Sequence, residues 1–338
     1  MLKKILAFFT VMGMSLLAVN LDTYKESKSN KAYATENNHF SPEKDRDIPE
    51  DVLFDSKQNN LEEILAPNAE VEKVVGGFEF TEGPVWHPDG FLLFSDIPAN
   101  TIYQWRPGEK PTIFRQPSGN ANGNTLDRSR RLVTAEHGNR RVTLTEKNGE
   151  VITLASRYQD KRLNSPNDLA VRSDGSIYFT DPPYGIKSEQ EELGFYGVYR
   201  LAPDGTLTLL VDDFVRPNGI VLSPDESKLY VNDSQNGHIR VFDVRSDGKL
   251  DNGKLFAELK PPSEAGAADG MEVDIEGNIY STGPGGVWIF SPDGDRLGII
   301  ETPEVPTNLA WGDRDYKTLY ITANTSVYRI PLKIPGIR

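Results

Sequence analysis

From about residue 71 onward the chain is written in short apolar stretches, each closed by a polar or small residue and divided from the next by Gly, Asp, Asn and Pro. Leu92-Leu93-Phe94-Ser95-Asp96 follows the turn pair Asp89-Gly90, and Ile177-Tyr178-Phe179-Thr180-Asp181 follows Asp174-Gly175. The phrase recurs as Leu132-Val133-Thr134-Ala135-Glu136, Leu229-Tyr230-Val231-Asn232-Asp233, Ile279-Tyr280-Ser281-Thr282-Gly283 and Leu319-Tyr320-Ile321-Thr322-Ala323. Branched and aromatic residues in runs of this length form strands, and no long 3.6-residue period interrupts them. The ends of the six phrases lie 40 to 52 residues apart. Six all-β units of that period predict an all-β chain folded as a six-bladed β-propeller.

A second column runs in phase with the first. Fourteen or fifteen residues before the end of each phrase stand Glu82, Asn122, Asn167, Asn218, Asp269 and Asn308. Each leads into a short apolar strand such as Leu169-Ala170-Val171 or Ile220-Val221-Leu222. In a propeller the first strand of a blade lines the central channel, so six equivalent lead residues converge on one end of it. The next strand is antiparallel and returns to the same face, bringing Asp96, Glu136, Asp181 and Asp233 there too. Taken singly, Asn or Asp before Gly is a turn signal. Taken together, six side-chain oxygens at six equivalent positions, two of them carboxylates, call for a cation. The expectation is therefore a propeller with a central metal site. Hard oxygen donors without thiolate or imidazole favour Ca²⁺, with Mg²⁺ or Mn²⁺ next and Zn²⁺ last.

The segment before residue 71 reads differently. Lys3-Lys4 and an apolar run from Ile5 to Val19 resemble the first parts of a signal peptide, and Ala32-Tyr33-Ala34 offers a cleavage site. Residues 1–34 are expected to be a signal peptide, with an uncleaved anchor as the alternative and a secreted or periplasmic location as the consequence. Residues 35–70 are acidic and carry Pro42, Pro49 and Pro67. They are expected to be a flexible spacer with one or two helical turns near Leu61–Leu65. The propeller is then 71–338.

Composition removes several function classes. A formal net charge of −13 argues against nucleic acid or anionic lipid as a partner. With no Cys and only four His, disulfide scaffolds, thiolate metal sites, a cysteine nucleophile and a His-rich zinc site are excluded or disfavoured. No Gly-x-Ser-x-Gly elbow is present, so a serine triad is not expected.

Glu82-Gly83-Pro84-Val85-Trp86, Ser165-Pro166-Asn167-Asp168, Arg216-Pro217-Asn218-Gly219 and Asp269-Gly270-Met271 resemble the regucalcin/gluconolactonase family of calcium-dependent six-bladed propellers. Gly119-Asn120-Ala121-Asn122-Gly123, the run Glu136–Val142, Thr180-Asp181-Pro182-Pro183-Tyr184-Gly185 and Val305-Pro306-Thr307-Asn308-Leu309 are similar to its bacterial gluconolactonase-like members. The resemblance runs from about Phe78 to Tyr328. It implies four metal ligands, Glu82, Asn167, Asn218 and Asp269, and a small-molecule lactone as substrate.

In that reading a lactone carbonyl is polarised by Ca²⁺ while Asp269 acts as general base toward water, direct attack by Asp269 being the competing version. Glu82 balances charge. Asn122, His137, Tyr184 and Asn308 are candidate substrate-binding residues. Asp181 and Asp233 are candidates to support the site or hold a further cation. Two other readings stay open: a calcium-dependent phosphotriesterase, and a non-catalytic propeller plugged by calcium that binds partners through its faces.

Overall fold

The computed structural model describes residues 59–259 and 265–337. The expected signal peptide and most of the acidic spacer lie outside these residues. Among the described residues no helix is long and apolar enough to cross a membrane.

Six four-stranded antiparallel sheets form a six-bladed β-propeller. The first blade runs outward through Thr81–His87, Phe91–Asp96, Thr101–Trp105 and Thr112–Arg115. The next four repeat this order, their inner strands being Ala121–Leu126, Leu169–Val171, Pro217–Leu222 and Met271–Val273. The last blade is built from both ends of the body: Pro306–Gly312, Thr318–Ala323 and Ser326–Pro331, with Glu72–Gly76 as the outer strand. Glu72 pairs with Arg329 and Gly76 with Ser326 across one register shift between Lys73 and Val75, so the ring is closed by backbone hydrogen bonds. All six expected phrases are second strands, buried along nearly their whole length.

Adjacent blades share apolar cores. At the closing seam Trp86, Leu92, Phe94 and Trp105 of the first blade meet Ala310, Tyr320 and Val327 of the last. Trp86 stacks on Tyr320 with ring centroids 5.3 Å apart. Each such large side chain contributes roughly 1.5–3 kcal/mol by leaving water, and pairs like these make blade-to-blade contact favourable without any cross-blade sheet.

Polar latches then fix the inner ends. Ser95 Oγ donates to the carbonyl of Asn122 at 2.7 Å, Thr180 Oγ1 to that of Asn218 at 2.7 Å, and Asn232 Nδ2 to that of Asp269 at 2.6 Å. In each case the second strand of one blade holds the lead residue of the next. The acids that end the second strands do a related job. Asp96 accepts from the backbone N–H groups of Glu79 and Phe80, and Asp233 from those of Val215 and Arg216. Asp181 accepts from the N–H of Asn164 at 2.7 Å. These donors lie two and three residues before the lead residues, so the carboxylates position the approach to the channel. Asp233 also accepts from the N–H groups of Gln235 and Asn236, which leaves its carboxylate fully engaged by protein donors.

One boundary moves. Residues 59–70, assigned by composition to the flexible spacer, belong to the propeller unit. Asn59–Ile64 is a short helix. Ile64 is buried among Leu309, Leu319 and Ile330, with Leu61 and Leu65 packed against the same cluster. The Ile64 carbonyl accepts from the N–H of Lys333, and Leu65 bridges Leu332. Local charge masked this: three apolar residues on one face of a single turn are enough to dock an otherwise acidic segment.

Candidate active site

Five of the six lead residues, Glu82, Asn122, Asn167, Asn218 and Asp269, meet at one end of the channel. In the last blade the strand register puts Thr307 in the equivalent place, its carbonyl accepting from the N–H of Gly270 as that of Asn167 accepts from Gly123. Asn308 lies one residue deeper, beside Asp168. Glu82, Asn122, Asn167, Asn218 and Asn308 are buried, and Asp269 is half-buried. The amide of Asn122 donates to Asn167 Oδ1, and the amide of Asn167 donates to Asn218 Oδ1. The Asn218 side chain hydrogen-bonds Asp269, whose charge faces that of Glu82. Asn308 Nδ2 donates to Glu82 Oε2 at 3.1 Å. Glu82 Oε2 also accepts from the N–H of Gly83 at 2.7 Å.

The glycine that follows a lead residue is there for close approach. A Cβ on Gly219 would lie 2.1 Å from the carbonyl oxygen of Asp269, a backbone atom that the Asn232 latch holds in place. Gly219 does not have a positive φ, so its backbone conformation does not demand glycine; the neighbouring blade does. Asn218-Gly219 is part of the inner strand Pro217–Leu222 rather than a turn.

The electrostatics are those of crowded anions. Burial holds the carboxyls of Glu82 and Asp269 above the usual carboxylate range, the charge of Asp168 adding to the rise at Glu82 and those of Glu82 and Asp168 to the rise at Asp269. Among the described residues no Lys or Arg forms an ion pair with either. No group of three or more His, Asp or Glu among them makes an all-charged metal cluster. A cation here would therefore rest on the carboxylates of Glu82 and Asp269 and the amide oxygens of Asn167 and Asn218. That hard-oxygen donor set fits Ca²⁺ in kind and in charge.

His137 is buried beside the amides. Its Nε2 lies 3.1 Å from Asn122 Nδ2 and 3.0 Å from Asn167 Oδ1. Burial pushes its pKa down to about 4, so the imidazole is neutral at physiological pH. Tyr184 stands at the rim, 39 % exposed. Its hydroxyl is 3.5 Å from Asn218 Nδ2, and its pKa is pushed up to about 12 by burial and by the charge of Asp269.

Two carboxylates escaped the phase argument. Asp168 and Glu272 line the channel below the ring, where a cavity of about 1120 Å³ runs toward the opposite face. Burial raises Asp168 to about 7 and Glu272 to about 8, the charge of Asp168 adding to the latter. Both have a sequence signature. The residue after the lead position is Gly in four blades and Leu309 in another; only the third blade has Asp168. Three residues after the lead stand Val85, Thr125, Ala170, Val221, Glu272 and Trp311. In each column the acid is the exception.

A family profile described as the SMP-30/gluconolactonase/LRE-like region matches residues 80–325. This chain belongs to that family. It is 37% identical over 303 residues to a gluconolactonase of Zymomonas mobilis, covering 82% of this chain and 85% of that protein. A solved gluconolactonase from Xanthomonas campestris superposes with a TM-score of 0.74 at 37% identity, covering 80% of this chain and 92% of the other. Regucalcin from Agrobacterium tumefaciens, described as a calcium-binding protein, shares the fold at a TM-score of 0.68 and 18% identity, over 79% of this family member and 95% of that chain.

Proposed function

We propose that the protein is a calcium-dependent lactonase that opens a sugar lactone or a related cyclic ester. The observation that carries this is the meeting of Glu82 and Asp269, unpaired by any basic side chain among the described residues, with the amides of Asn167 and Asn218 at one channel end. Membership of the gluconolactonase-type family supports the same reading.

Glu82, Asn167, Asn218 and Asp269 would hold the ion. A bound Ca²⁺ supplies Lewis-acid polarisation of the substrate carbonyl and neutralises the two carboxylates. Asp269, half-buried at the mouth, takes a proton from the attacking water. The water oxygen bonds to the carbonyl carbon, the ring C–O bond breaks, and the proton on Asp269 passes to the departing alkoxide, leaving a hydroxy acid. Asn122 and Asn308 offer amide donors beside this centre. His137, neutral and enclosed, orients Asn122 and Asn167 rather than carrying charge. Tyr184 forms a wall next to Asn218.

Turnover of glucono-1,5-lactone by the calcium-loaded protein tests the reading. Chelation with EDTA should abolish activity, and Asp269→Asn should lower kcat by roughly 10²–10⁴-fold, the range for loss of a general base, while keeping the folded spectrum. Full activity in EDTA removes the cation from the proposal. Full activity in Asp269→Asn removes the assigned base.

A further inference from the structure

Tyr184 connects the metal-ligand candidates to a cation at the rim. Its hydroxyl reaches Asn218. The Arg216 guanidinium carbon lies over its ring, 5.6 Å from the centroid, within cation–π range.

The base of Arg216 is fixed. Its N–H is held by Asp233 Oδ1 at 3.3 Å, its carbonyl accepts from the N–H of Ser234 at 3.0 Å, and Pro217 restricts the next step of the backbone. Ser234 ties this segment to the axis. Its hydroxyl accepts from Asn218 Nδ2 at 2.9 Å and donates to the carbonyl of Ala268 at 2.5 Å. The residue in the same place one blade earlier, Ser165, is buried and spent on Pro182 and Gly185. Arg216 by contrast is exposed, and among the described residues no carboxylate lies within ion-pair distance of it. A guanidinium anchored at its backbone, seated on an aromatic ring and left with its N–H fork free is arranged to meet a pair of oxygens from outside.

We infer that Arg216, carried on the ring of Tyr184, is a specificity-determining residue that holds the oxygen-rich substituent of the substrate, the hydroxylated arm of a sugar lactone, beside Asn218. The inference rests on the lactonase reading and adds the residue that selects a polyhydroxylated lactone over a bare one. An unsubstituted ring offers the fork nothing.

The test compares glucono-1,5-lactone with δ-valerolactone, which keeps the cyclic ester and lacks the hydroxyls. In Arg216→Ala the ratio of the two kcat/KM values should fall about tenfold or more, the usual scale for hydrogen bonds to a charged donor, with the loss in KM for gluconolactone. Arg216→Lys should recover only part, since it returns the charge without the fork. Tyr184→Leu should move the ratio in the same direction. An unchanged ratio, or equal losses on both substrates, overturns the assignment. If the wild type hydrolyses neither compound, the lactonase reading fails. Calorimetry with gluconolactam and δ-valerolactam then decides separately on Arg216: selective weakening of gluconolactam in Arg216→Ala supports it, and equal binding by both proteins overturns it.

Discussion

The side-chain amide of Asn308 donates to Glu82 Oε2 at 3.1 Å, joining residues 226 apart in the chain. The contact lies where the last blade meets the first, and it orients one of the two carboxylates proposed to hold the ion. Asn308→Ala removes that donor and leaves a buried carboxylate less restrained. The expected result is a calcium affinity reduced about tenfold or more with a parallel fall in kcat/KM, read by calcium titration calorimetry and lactone kinetics. Unaltered affinity would show that Glu82 needs no help from the seam.

Proton uptake gives a second expectation. In the folded protein without metal, Asp168 and Glu272 hold protons up to about pH 7 and 8, whereas in the unfolded chain they release them near pH 4 to 4.5. Between these limits the folded state binds more protons than the unfolded state, so stability declines as pH rises. Asp168 alone contributes a loss of up to about 4 kcal/mol by the upper end of the window. Glu304, held down to about 2 by its hydroxyl and backbone donors against the burial that raises it, acts with the opposite sign and only below about pH 4.5. Tm measured in EDTA should therefore drop from pH 5 to 8.5, and calcium should flatten the decline. A rising or level EDTA curve contradicts this placement of the acids.

Gly219→Ala tests whether the glycines are spacing elements. The new methyl would meet the Asp269 carbonyl at 2.1 Å, so either the latch to Asn232 opens or the blades part. Overpacking of this kind costs roughly 1–3 kcal/mol. Tm should fall by several degrees and calcium-dependent activity should fall further than stability does, because Asp269 itself is displaced. A variant with native Tm and native kcat would mean the backbone yields freely there.

Ile64→Ala separates fold from site. Ile64 is 2 % exposed, in the apolar core shared by the fifth and last blades. Its truncation should cost about 2–5 kcal/mol, visible in urea denaturation, while calcium affinity of the folded protein stays at the wild-type value. A change in affinity would link the helix to the channel end.

The blade count and the meeting of Glu82, Asn122, Asn167, Asn218 and Asp269 were legible for the same reason: a propeller repeats both a strand pattern and a direction. Glu82 and Asp269 gain meaning only from their phase with Asn122, Asn167 and Asn218, and that phase can be read without coordinates. Residues that act by breaking the repeat were harder to see. Asp168 and Glu272 occupy columns otherwise filled by small or apolar residues, and a search for what recurs passes over what does not. Arg216 was hidden because its role depends on a ring from the preceding blade, Tyr184, 32 positions earlier. The helical turns expected near Leu61–Leu65 are present as Asn59–Ile64, but their docking was hidden by charged surroundings, since burial is set by one face and composition averages over all of them.

The outer strand Glu72–Gly76 and its partner Ser326–Pro331 come from opposite ends of the propeller body. A nascent chain halted before Pro306 already carries Glu82, Asn167, Asn218 and Asp269, yet neither Asn308 nor the clasp that brings the two ends together. The ring therefore closes only when the last blade is complete, and a product ending before Pro306 would lack three of that blade's four strands.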